Sequence, residues 1–226
     1  MHHTNPEGGT SVLASLRSLI PNRHLHLSEA LRIAELQAGR LLELRGALDV
    51  PVPTTVVTGL PRVSVEHDTE LPTDAASGSS HWNWQRGSWI ICLNPTEPRT
   101  RRRFTLFHEY KHILDHGSPG IAATPGRTTR QKPVEEIVAD YFAGCVLMPK
   151  RLVKTAYFDG IQRTADLAEL FDVSQAAVQV RLNQLGLLAF GLPRTAVRYT
   201  PRLGARRPYF RSASFRSAEK MEAMPV

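Results

Sequence analysis

The chain has 226 residues, 42% hydrophobic and 22% charged, which is the mixture of a soluble globular protein with one compact domain and a small appendage. No stretch approaches the roughly 18 uninterrupted apolar residues of a membrane span, and the opening MHHTNPEGGTSV lacks a basic lead-in to an apolar run, so a cytoplasmic protein without a membrane partner is expected. The formal charge of +7 is not spread evenly: residues 191–226 carry 8 Lys or Arg against 2 Asp or Glu, the remainder 20 against 19, and a nearly neutral body argues against wholesale nucleic-acid binding.

In chain order, apolar residues recur at three- and four-residue intervals over 25–49, after Ser28, which can cap a helix beginning near Glu29. PVPTTVVTGLP then breaks the helical period, and three short strands are predicted in RVSVEH, HWNWQ and SWIICLN. The second and third are joined by Gln85, Arg86 and Gly87, a loop of hairpin length, while PTDAASGSS before them has turn composition. Cys92 and Cys145 lie in apolar segments, where small buried hydrophobes are expected rather than a disulfide framework.

Helical periodicity returns from about Arg99 to His116 and stops at Gly117, suited to a left-handed C-cap. GSPGIAATPGRTTRQKP is a long Gly/Pro-interrupted loop of the kind that serves as a functional lid or a mobile segment. A second helix starts after Pro133 and runs to Pro149, and TADLAELF-DV-SQAAVQVRLNQLG gives two short helices with Ser174 capping the latter. The tail has too little periodicity for an assignment.

Within the first of these helices, RRRFTLFHEYKHILDHG places His108 and His112 four residues apart, one turn above the other, so that two imidazoles can converge on one ion. Glu109 lies beside that position, where a carboxylate can take the proton of an ion-activated water. Chance would produce such an H-E-x-x-H pentapeptide roughly 0.02 times in a chain of this composition. The competing explanation is a pair of histidines that decorate a helix. FTLF before the motif and IL after it bury much of the helix, and two buried imidazoles beside a carboxylate are costly without a cation.

Catalytic zinc needs a third protein ligand and an open position. The metzincin pattern would need Gly and His where Asp115 and Ser118 stand, which excludes that class. The next helix offers Glu136 and Asp140, four apart on a face shared with Ala139 and Ala143, small enough for close approach. Glu136 is read as the third ligand, Asp140 as acceptor of the outer N–H of a ligating histidine, and Glu135, about 100° away, as solvated. The alternative for this cluster is the acidic first turn common to helices. His116, drifting round the last turn, is not read as a ligand.

The chain resembles the ImmA/IrrE-type metallo-endopeptidases in RRRFTLFHEYKHILDH, in EEIVADYFAGCVLMP, in SHWNWQRGSWIICLN and in LAELFDVSQAAVQVRLNQLGLL, together roughly residues 50–190 in the family's order. The resemblance implies an α+β zincin-like fold, mostly helical with a small antiparallel sheet over the H-E-x-x-H helix, followed by a helix-turn-helix-like region. It also implies His108, His112 and Glu136 on zinc with Glu109 as base, and cleavage of a helix-turn-helix transcriptional repressor that governs stress or mobile-element genes. The division expected is a flexible segment over 1–24, a metallopeptidase domain over 25–155, the helix-turn-helix-like region over 156–192 and a basic disordered tail over 193–226. The alternative function is a regulator that sequesters a repressor or binds DNA without cutting.

Other features remain open. The tryptophans 82, 84 and 89 either cover the helix or, with the hairpin, form an edge strand that pairs with an extended substrate. In the helix-turn-helix-like pair, Gln175, Gln179, Arg181 and Asn183 could reach bases, although phosphate-binding cations nearby are sparse, and buttressing the core or docking a repressor suits it better. RTRRR at 99–103 is either a solvated face or a phosphate contact, and RRPYFRSASFR in the tail either binds nucleic acid or is disordered. No oxyanion stabiliser emerges; Tyr157 is conceivable, with no support from spacing.

Overall fold

The computed structural model describes residues 11–68, 77–121 and 132–187. The elements in chain order are α1 (Val12–Arg17), α2 (Leu27–Leu44), α3 (Thr55–Thr58), β1 (Val63–His67), β2 (Gly78–Asn83), β3 (Ser88–Leu93), α4 (Arg99–Asp115), α5 (Val134–Leu147), α6 (Lys150–Phe158), α7 (Thr164–Phe171) and α8 (Gln175–Gln184). Among the described residues no helix is long and apolar enough to cross a membrane.

The centre is α5, whose Val138, Ala139, Phe142, Ala143 and Val146 are buried because the helix is covered on both sides, by α2 and by α4. Helix α2 contributes the stripe Ile33, Ala34, Ala38, Leu41 and Leu42, spaced for one helical face. It starts at Leu27 behind His26, two residues earlier than a Ser28 cap would give. Gly117, with φ +82, ends the run after α4 as expected, and Ser174 Oγ accepts from Ala177 N at 3.2 Å at the start of α8.

The sheet differs from the expected antiparallel one. Its order is β1-β3-β2, with β2 antiparallel and β1 parallel to β3, so it is mixed. The hairpin fills one edge of β3, leaving β1 only the other edge, where it runs in β3's direction; local hairpin signals carry no information about that long-range pairing. Strand β2 also begins earlier than predicted, at Gly78, inside the segment with turn composition. Its turn is held by Asn83 Oδ1, which accepts from Gln85 N and Arg86 N at 3.0 Å each, with Gly87 at φ +57.

Three helices were not anticipated, α1, α3 and α6. Helix α1 falls within the segment expected to be flexible, yet Leu16 is buried, Arg17 Nη2 donates to Ile113 O at 2.7 Å, and Gln37 Nε2 donates to Leu16 O at 3.0 Å. Leu25 and Ile121 form a parallel bridge further along. The basic tail over 193–226 and most of the loop after Gly120 lie outside the described residues.

Candidate metal centre

Helices α4 and α5 pack closely enough for their polar faces to meet at one point. His108 and His112 project from successive turns of α4, and Glu136 from the first turn of α5 faces both. The His112 Nε2 to His108 Nε2 distance is 3.1 Å, His112 Nε2 to Glu136 Oε1 is 3.1 Å, and His108 Nε2 to Glu136 Oε2 is 3.3 Å. Among the described residues these three form the one His/Cys/Asp/Glu group whose ligand atoms converge in this way.

The spacing is that of donors around a small ion. Two donors each about 2.1 Å from a tetrahedral centre stand about 3.4 Å apart, close to the edges of this triangle. The protonation pattern agrees. Asp140 Oδ1 lies 2.9 Å from His108 Nδ1, so the outer N–H is used there and Nε2 presents a lone pair inward. Two nitrogens and a carboxylate turned toward one another in this way are best satisfied by a shared cation.

Asp140 is itself held by Lys132, whose amine also lies 4.0 Å from Glu136 Oε2. Burial pushes the Asp140 carboxyl up, but the hydrogen bonds from His108 and Lys132 and the charge of Lys132 outweigh it and keep the group below the ordinary carboxylate range. Glu109 is buried beside the triangle, and Ser80 Oγ on β2 donates to its Oε2 at 2.9 Å. Lys111 is buried and pairs with Asp115; burial lowers its pKa, and it takes no part in the cluster.

Residues 66–183 match the Peptidase_M78 family, described as the IrrE N-terminal-like domain, and this covers more than half of the sequence. The chain belongs to the M78 peptidase family. The histidines, Glu109 and Glu136 of this M78 chain all fall inside the matched region. No curated protein matches the sequence. A solved structure described as a Mycobacterium tuberculosis transcriptional regulator is similar at 18% identity, with a TM-score of 0.49, over 77% of this chain and 52% of that one. This chain spans about half the length of that protein, and a likeness so distant carries no argument about activity.

The structure of the M78 chain also separates the remaining candidates. His116 caps the end of α4, and its ring packs edge-on against Trp89, with centroids 4.9 Å apart, away from the triangle. Trp89 is buried and Trp82 half-buried against it, so these two cover the core; Trp84 is exposed. Tyr157 is buried and donates to Leu187 O at 3.2 Å, which removes it as an oxyanion stabiliser. Arg181 is not available to bases either: it is 1% exposed, donating to Met148 O at 3.0 Å with its guanidinium 5.6 Å over the Tyr141 ring.

The basic run at 99–103 is neither a purely solvated face nor a phosphate patch. Arg99 and Arg103 both pair with Asp172, at 2.8 and 3.2 Å, and Arg101 reaches Ser77 Oγ at 3.0 Å. Two polar neighbours of the centre, Ser80 and Lys132, were missed in the sequence. Counting by twos back from Trp82 would have found Ser80 and Gly78 on the face turned to α4. Lys132 lies on no periodic element, and no spacing rule points to it.

Proposed function

We propose that the protein is a zinc-dependent endopeptidase that hydrolyses one peptide bond in a partner helix-turn-helix repressor, acting in the cytoplasm to relieve repression in a stress-response or mobile-element circuit. The observation that carries the reading is the triangle of His108 Nε2, His112 Nε2 and the Glu136 carboxylate, with edges of 3.1–3.3 Å, beside a buried glutamate. His108, His112 and Glu136 would hold the ion, and Asp140 would fix the tautomer of His108. An ion bound there supplies a Lewis acid, which brings the pKa of water to about 7 and polarises a carbonyl.

Glu109 does the proton work. Its carboxylate takes a proton from water as the water oxygen bonds to the carbonyl carbon, and returns it to the amide nitrogen as the C–N bond breaks. Ser80, bonded to one carboxylate oxygen, leaves the other for water. Strand β2 is an edge of the sheet and contacts α4, so an extended substrate that adds to that edge lies along the centre.

The test is incubation of zinc-loaded protein with the repressor encoded beside it, wild type against Glu109→Gln. Cleavage is expected from the wild type and a loss of about 10²–10⁴-fold from the variant, with zinc content unchanged. Equal cleavage by both would remove Glu109 as base. Repressor bound by both and cut by neither would favour a sequestering regulator. The DNA-binding alternative is disfavoured by the burial of Arg181.

A further inference from the structure

The cleft that contains the metal triangle does not end at it. One continuous groove of about 1330 Å³ runs from Gly78 on β2 past His108, Glu109 and Glu136 to α8, where Ala176, Ala177, Val180 and Gln184 form its far wall. Ala176, Val180 and Gln184 stand on successive turns of one helical face. Val180 is 58% exposed and is the one exposed large apolar side chain among the described residues that lines this groove, and Phe104 of α4 lies in the same groove.

The rotation of α8 is fixed by the residue next to Val180. Arg181 is turned into the core, where its Nε donates to Met148 O at 3.0 Å and Nη2 lies 3.5 Å from Glu35 Oε1. A buried guanidinium is tolerated only with such partners, so α8 cannot roll without breaking them. At the other end, Asp172 holds the α7–α8 turn against Arg99 and Arg103 of α4. The helix face is therefore set rigidly toward the cleft.

Its chemistry selects the occupant. Residues 164–187 contain three acidic side chains, Asp166, Glu169 and Asp172, and one basic side chain, the buried Arg181, while the exposed cations that line the groove, Arg101 and Lys132, lie outside this wall and are engaged by Ser77 and Asp140. A nucleic-acid backbone needs exposed cations at such a surface. The wall instead offers methyl groups, beside a cleft whose opposite end is a sheet edge that can hold extended chain.

We propose that the Ala176/Val180 face of α8 is a substrate-selecting wall, against which an extended polypeptide seats a bulky aliphatic side chain while a neighbouring part of the same polypeptide lies over the metal triangle. This rests on the peptidase reading for what happens next, but not for the binding itself.

The test separates the two. Zinc-loaded Glu109→Gln protein is used to select binders from a random peptide library, and the selected peptides are then measured against Glu109→Gln/Val180→Glu and Glu109→Gln/Ala176→Glu. Both added substitutions sit at exposed helical positions, so circular dichroism should be unchanged. The expected result is a shared aliphatic residue at one peptide position, binding at least about tenfold weaker to either double variant, and replacement of that residue by Lys or Arg when selection is repeated on the Val180→Glu background. Failure to enrich any peptide, or equal binding to all three proteins, overturns the proposal, as does a duplex DNA probe that binds the parent and competes with the peptides. Wild-type protein then reports on the chemistry: selected peptides that require Val180 yet are never cut leave the wall in place and remove the peptidase.

Discussion

Tyr110 sits between Glu109 and Lys111 with its hydroxyl buried and, among the described residues, unpartnered. Burial, partly opposed by the charges of Arg17 and Arg45, pushes its pKa far up, so the group stays neutral. An unsatisfied buried hydroxyl costs about 1–3 kcal/mol, so Tyr110→Phe should raise stability by about 1 kcal/mol, read as a higher midpoint in urea with unchanged slope. Asp140 calls for the opposite expectation. Asp140→Asn keeps shape but loses the charge that orients His108, and zinc affinity should fall about 10–100-fold in competition with a chromophoric chelator while the far-ultraviolet spectrum is retained. Asp140 was legible because a four-residue step from Glu136 places it on the same helical face. Tyr110's missing partner was not, since satisfaction of a buried group depends on everything packed around it.

Between elements, the contact of β2 on α4 brings Ser80 to Glu109. Gly78 makes it possible: a Cβ there would lie 2.5 Å from Thr105 Cγ2 and 2.8 Å from Cys92 O. Gly78→Ala should push β2 outward, cost about 2 kcal/mol and weaken the Ser80–Glu109 bond. Adding Thr105→Ser removes the nearer obstacle, so thermal melts of the double variant should recover part of the loss, a coupling that additive effects would not show. Helices α4 and α5 could be read from the sequence because Gly117 and Pro133 mark their ends and their periodicity spans several turns. The start of β2 could not, because Gly78, Ser79 and Ser80 have the composition of a turn, and the edge chosen by β1 is decided by pairing across more than twenty residues.

At the scale of the molecule, Asp172 joins the α7–α8 pair to α4, the helix that carries His108 and His112. It occupies the left-handed region at φ 54, which Asn also tolerates, so Asp172→Asn isolates the loss of charge. Arg103 is buried and would keep its bonds to Val52 O and to the backbone carbonyl of residue 172 but lose the carboxylate that balances its charge. A loss of about 2 kcal/mol is expected, visible as a melting temperature lower by several degrees, with sensitivity to salt reduced. The sequence pattern anticipated the helical pair, but not that Arg99 and Arg103 of the basic run hold it.

Helix α1 changes what counts as a self-sufficient piece. The family likeness begins at residue 66, yet Leu16 is fully enclosed, Arg17 satisfies a carbonyl in the last turn of α4, and α2 covers a whole flank of α5. A fragment trimmed to the region of likeness would keep His108, Glu109, His112 and Glu136 and strip the apolar backing from the helix that carries Glu136. The stretch that matches the family and the stretch that folds are thus two different lengths of chain.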